Sequence, residues 1–194
     1  MKKIMFDDKY GLTKAVLEGR KTMTRRLPDK NWRCVMTGIA GRDLSKVSTP
    51  YKVGEVVAVA QSYLSIHNEM MDNSFGEGYG DAIYDPFRWA IVDDKPGWSN
   101  KMFVSADLMP HQIRITGVRV ERLQDISDED CLREGLQSAN GGFYSYYNHL
   151  TGARLWLSGK SPRKAFAELI DKISGKGTWE SNPWVFVYEF ELVK

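Results

Sequence analysis

The chain has 194 residues and only two cysteines, Cys34 and Cys131, far apart and without CxxC spacing. That argues against a disulfide framework and fits a reducing compartment. No run approaches the ~18 apolar residues of a membrane span. The opening MKKIMFDDKYG offers only Ile4, Met5 and Phe6 between its lysines and Asp7, short of the ~7–15 apolar residues of a signal peptide. The expectation is a soluble cytoplasmic protein with no membrane partner. GxGxxG and Walker sequences are missing, which leaves a nucleotide-cofactor fold unsupported. His67, His111 and His149 stand apart from one another and from the cysteines, without metal-ligand spacing. No nucleophile-elbow pattern points to a serine triad. The net charge of +2 is too mild to mark a nucleic-acid protein, so any basic surface must come from local clustering.

The residues present describe an ordinary globular chain, with 42% hydrophobic content and a length suited to one domain over 1–194. Asp7 to Glu18 predicts a helix, with Leu12, Ala15 and Val16 on one face and Gly19 as its C-terminal cap. Lys21 to Arg26 reads as extended and Pro28 ends it. A turn at Gly54 leads into the buried-strand run of VGEVVAVAQSY. Over about 64–110 the periodicity fades into a Gly-, Asp- and aromatic-rich insertion, expected to hold short strands near 82–84 and 88–92 joined by mobile loops.

Ile113 to Leu123 is the clearest strand, its apolar phase shifting at Gly117, where a bulge is expected. SDEDCLREG reads as a helix capped by Ser127, with Asp130 as capping-box partner and Gly135 beyond its end. SPRKAFAELIDKIS predicts a second helix, with Ser161 as cap, Pro162 in its first turn and an apolar stripe of Ala165, Phe166, Leu169, Ile170 and Ile173. NPWVFVYEFELV is a long strand with Trp184, Phe186, Tyr188, Phe190 and Leu192 on one face and Glu189 and Glu191 on the other. GGFYSYYNHLTG reads as an aromatic loop, packed on the body or free to stack on a base. Unevenly spaced strands with three short helices predict an α+β domain built on a small curved sheet or barrel.

Two features resist a bland reading. LEGRKTMTRR places Arg20, Lys21, Arg25 and Arg26 within seven residues. A solvated basic turn would explain it, but crowding by like charges also depresses the Lys21 ammonium and readies it as a base. Thr22 and Thr24 supply nearby hydroxyls, and the arginines can hold a carbonyl, phosphate or oxyanion. In a flat strand Lys21 and Thr24 would face opposite sides, so they meet only if Lys21 lies in the helix-to-strand turn. Glu134 is the second oddity, a carboxylate at the negative end of its helix, at a cost of about 0.3–1 kcal/mol. It is either a surface glutamate paired with Arg133 or a lysine, or an acid relieved by the LEGRKTMTRR cations.

EGRKTMTRR resembles the opening Gly-x-Lys-x-x-Glu/Thr-x-Arg motif of the ASCH domain, a branch of the PUA-like β-barrels, through Gly19, Lys21, Thr24 and Arg26. The likeness continues through VGEVVAV, MPHQIRITGVRVERLQDISDEDCLREGL and NPWVFVYEFELV, in the order of the longer phage and prophage ASCH proteins. It is thinnest over the insertion and GGFYSYYNHLTG. The resemblance implies an α+β PUA-like (ASCH) β-barrel with flanking helices and a cleft for RNA or nucleosides. A compact member type removes the acetyl group from N4-acetylcytidine, and its functional lysine, threonine and glutamate fall on Lys21, Thr24 and Glu134. This implies a metal-independent amidohydrolase without organic cofactor, acting on a modified nucleoside. Arg26, Arg25 and Gly19 would lie on the substrate side, with Tyr63 and Tyr84 as stacking walls. The other reading is a non-catalytic module for single-stranded RNA. Where phage-type relatives carry a carboxylate and Trp after the VGEVVAV strand, this chain has Gln61 and Tyr63.

Overall fold

The computed structural model describes residues 1–28, 49–74, 96–139, 142–147 and 154–193, which are helices joined to two sheets in an α+β arrangement. They fall into two compact units, Met1–Phe6 with Val57–Gln112, and Asp7–Val56 with Ile113–Val193. Among the described residues no helix is long and apolar enough to cross a membrane.

In the first unit β1 (Lys3–Ile4) runs parallel to β3 (Val56–Val59), with Ile4 opposite Val59. Helix α2 (Tyr63–Ser74) begins where the Ser62 hydroxyl accepts the Ser65 N–H, and Tyr63 and Ile66 turn into a cluster with Ala58, Ala60, Val104 and Met109. Tyr63 packs so close to Gly97 that a Cβ there would lie 2.5 Å from its ring. This helix corrects the expectation of loops from residue 64. Polar Ser65, His67, Asn68 and Glu69 surround its two buried anchors, so no apolar stripe marks a 3.6-residue period. The strands expected near 82–84 and 88–92 lie outside the described residues.

In the second unit β8 (Trp184–Leu192) is the central strand. It pairs antiparallel with β4 (Gln112–Arg122) on one side and β2 (Met23–Arg26) on the other. The β4 register shifts between Ile115 and Gly117, where the sequence places its phase change. Val185, Phe186, Val187 and Tyr188 are each at most 1% exposed, so both faces of β8 are covered. Leu192, expected among the apolar residues, is 40% exposed at the strand's end.

Helix α1 spans Leu12–Leu17 only, because Gly11 adopts φ 66° and separates it from the turns at Asp7–Tyr10. Helix α3 (Asp128–Arg133) starts where the Ser127 hydroxyl accepts the Asp130 N–H, as read from the sequence. Helix α4 (Pro162–Ser174) packs on α3 and buries Ala165, Phe166, Leu169 and Ile170, while Ile173 stays largely exposed near its C-terminus. A four-residue helix α5 (Thr178–Ser181) precedes β8. A second sheet, β5 (Gln137–Ala139), β6 (Gly142–Tyr147) and β7 (Arg154–Leu157), corrects the aromatic-loop reading of GGFYSYYNHLTG. Its first half is the middle strand, consistent with the β preference of its Phe and Tyr residues.

Ser127→Ala should lower stability by about 1 kcal/mol through loss of the α3 cap. The urea midpoint should fall with an unchanged denaturant slope; no change would show that the cap contributes nothing.

Candidate functional site

The Lys21 site is set by how the chain leaves α1. Gly19 at φ 71° reverses the backbone, its N–H bonding Val16 O at 2.9 Å while the Lys21 N–H bonds Ala15 O at 2.8 Å. Glycine alone adopts that conformation cheaply. Thr22 is then threaded between two elements: its N–H donates to Arg133 O at the end of α3, and its carbonyl accepts the Phe190 N–H of β8. Lys21 therefore lies between α1 and β2, ahead of the pleat.

From there the Lys21 side chain reaches the C-terminus of α3. Nζ donates to the Glu134 carbonyl oxygen at 2.7 Å and to its carboxylate at 2.5 Å. Both residues are buried, Lys21 being 2% and Glu134 4% exposed. The ammonium caps an orphan carbonyl and neutralises the acid that opposes the helix dipole. Gly135 ends the helix at φ 104°, a left-handed conformation that favours glycine, beside Ala15, Leu12 and the Lys21 stem. Burial pushes the Lys21 ammonium below the ordinary lysine range; Glu134 opposes this, and Arg26 and Arg25 add to it.

Arg25, one strand face along, takes the other Glu134 oxygen at 3.2 Å, Glu121 at 2.6 Å and Asp130 at 2.8 Å. Although burial opposes it, those carboxylates hold the Arg25 guanidinium above its usual value. The network continues outward. Arg119 pairs with Glu121, Asp130 and Glu189, and Arg133 with Asp130 and Glu189, Arg133 also donating to the Thr22 hydroxyl at 3.3 Å. Lys21, Arg25, Arg119 and Arg133 thus alternate with an equal number of carboxylates. The sequence reading missed Glu121, Asp130 and Glu189 as partners. The available signal was Arg119 and Glu121 at alternate positions of β4, with Glu189 on the same face of the neighbouring strand.

Compared with protein-family models, curated proteins and solved structures, the chain matches none.

The remaining sequence candidates are distributed as follows. Thr24 is buried and lies cross-strand from Tyr188, on the face of β2 opposite Arg25. Among the described residues no hydrogen bond joins it to Lys21 or Glu134. Arg26 shares Thr24's face, beside Tyr51, Glu134 and Tyr188. Burial lowers the Arg26 guanidinium against the pull of those groups. Burial raises the Tyr188 hydroxyl above its ordinary range and keeps it neutral. Gly19 acts through its backbone. Tyr63 is a core residue of the first unit, and Tyr84 lies outside the described residues. Cys131 is a buried free thiol, pushed by burial up to about 12 and so unreactive.

Lys21→Met should cost about 3–5 kcal/mol, because Glu134 then keeps only the more distant Arg25. In urea unfolding, Lys21→Met with Glu134→Gln should lose less than the sum of the single changes, with a coupling of about 0.5–3 kcal/mol. Additivity would show that the pair is not a functional unit.

Proposed function

We propose that the chain is an amidohydrolase acting on an N4-acylated cytidine or a similar modified nucleoside, carried on a PUA-like ASCH barrel. The observation that carries this reading is the buried 2.5 Å bond between Lys21 and Glu134. Two residues 113 apart in sequence, each singled out separately, share one site.

Lys21 is the base and Thr24 the nucleophile or the residue that positions water. In the water route, Lys21 Nζ takes a proton from the water as its oxygen bonds to the acyl carbon. The carbon–nitrogen bond then breaks, and the base's amino nitrogen receives a proton passed through the Lys21–Glu134 pair. Cytidine and a carboxylic acid leave. Arg26 holds the pyrimidine carbonyl or the developing oxyanion. Loss of a lysine's proton is costly when the ammonium is well solvated, and burial removes part of that cost.

Electrostatics favour this reading over a phosphate grip. Arg20 is paired with Glu18 at 2.6 Å, Lys21 with Glu134, and Arg25 with Glu121, Asp130 and Glu134. Arg20, Lys21 and Arg25 are thus each paired with a carboxylate of this chain, and a phosphate would have to displace a buried carboxylate to reach Lys21 or Arg25.

With N4-acetylcytidine as probe, the wild type should release cytidine, Lys21→Met should release none, and Glu134→Gln should slow release about 10²–10⁴-fold. A base must be unprotonated, so kcat/KM should rise with pH through the Lys21 titration, below the ~10.4 of free lysine. No turnover across a panel of acylated cytidines, together with salt-sensitive binding of single-stranded RNA, would reject the hydrolase in favour of a binding module.

A further inference from the structure

The first unit carries a polar cluster with no part in the Lys21 site. Gln61 follows β3, Glu69 lies in α2, and His111 immediately precedes β4. Gln61 Nε2 donates to Glu69 Oε2 at 3.0 Å, and Glu69 Oε1 lies 2.5 Å from His111 Nε2. The backbone fixes the outer members: Val59 donates its N–H to the His111 carbonyl at 2.9 Å, and Ala60, beside Gln61, donates to Ile4 O at 2.9 Å.

Carboxylates only accept hydrogen bonds, so this network places the proton of a neutral His111 on Nε2. The basic lone pair is then at Nδ1, for which the described residues supply no donor. The same logic orients the Gln61 amide. With Nε2 against the carboxylate, Oε1 is left as a buried acceptor without a donor, in a side chain 1% exposed. Buried acceptors of this kind are uncommon, since most find a protein or water donor. The His111 and Glu69 side chains remain 21% and 32% exposed, so the cluster is only partly removed from solvent.

We propose that His111 is a general base, fixed in its Nδ1-basic tautomer by Glu69 and Gln61, that takes a proton from water or another hydroxyl-bearing ligand. A carboxylate behind an imidazole sets its tautomer and orientation and stabilises the imidazolium formed on proton uptake. Toward an activated acyl ester, Nδ1 takes the water proton while the water oxygen bonds to the acyl carbon. The ester carbon–oxygen bond then breaks, the leaving alkoxide departs with the electron pair, and the imidazolium returns its proton to solvent. A purely structural clamp would tie the same elements together and perform none of this.

p-Nitrophenyl acetate is the probe. Wild-type protein should release nitrophenolate about 10²-fold faster than His111→Asn. Glu69→Gln, which keeps the hydrogen-bonding shape but removes the charge, should lose most of the rate, and wild-type release should slow in D2O. Equal rates for wild type and His111→Asn would overturn the proposal. Should the variants fail to fold, long-range proton–nitrogen correlation spectra of the wild type decide. Neutral His111 protonated at Nε2 with a bare Nδ1 supports it, and the Nδ1–H tautomer sinks it.

Discussion

An ammonium and a carboxylate that have both left water must satisfy each other, and the second unit is arranged around that requirement at Lys21 and Glu134. Removing two such ions from solvent costs several kcal/mol each, and their attraction offsets this only with close geometry and extra hydrogen bonds. Here the ammonium has both the carboxylate and the α3 terminal carbonyl, and the carboxylate has both Lys21 and Arg25. Gly19 supplies the reversal that aims Lys21 inward, Gly135 turns the chain out of α3 at positive φ, and Thr22 ties the segment to α3 and β8.

The pair also explains why a nearly neutral chain concentrates cations at residues 20–26. Lys21 and Arg25 are partners for acids on β4 and at α3, and tie the start of β2 to both elements. The ions that the proposed chemistry would use are the same ones that tie these elements together. On the opposite face of β2, Thr24 lies across from Tyr188 and Arg26 lies near Tyr51 and Tyr188, where burial raises the Tyr188 hydroxyl.

Much of this was legible because it is local. Ser127 and Ser161 announce their helices through cap hydrogen bonds that depend on a few adjacent residues. Gly117 marks its bulge through a phase change visible within β4. Glu134 stood out because its position conflicts with its own helix. What escaped is non-local or sparse. Helix α2 has too few anchors to print a period. β6 has Tyr and Phe where a loop was expected, and its identity depends on pairing with β5 and β7. Asp130 was assigned to helix capping, whereas its carboxylate bonds Arg25 and Arg119 from other elements. Spacing could suggest that Lys21, Thr24 and Glu134 belong together; the structure joins Lys21 to Glu134 and sets Thr24 on the β2 face that carries Arg26.

The claim beneath all of this is that desolvation, more than the attraction of Glu134, sets the protonation of Lys21. Following the Lys21 side-chain carbon and nitrogen resonances against pH in the folded protein measures it directly. The account predicts a midpoint below the ~10.4 of an ordinary lysine. A midpoint at or above that value would mean that the carboxylate dominates, leaving Lys21 a permanent cation and no base.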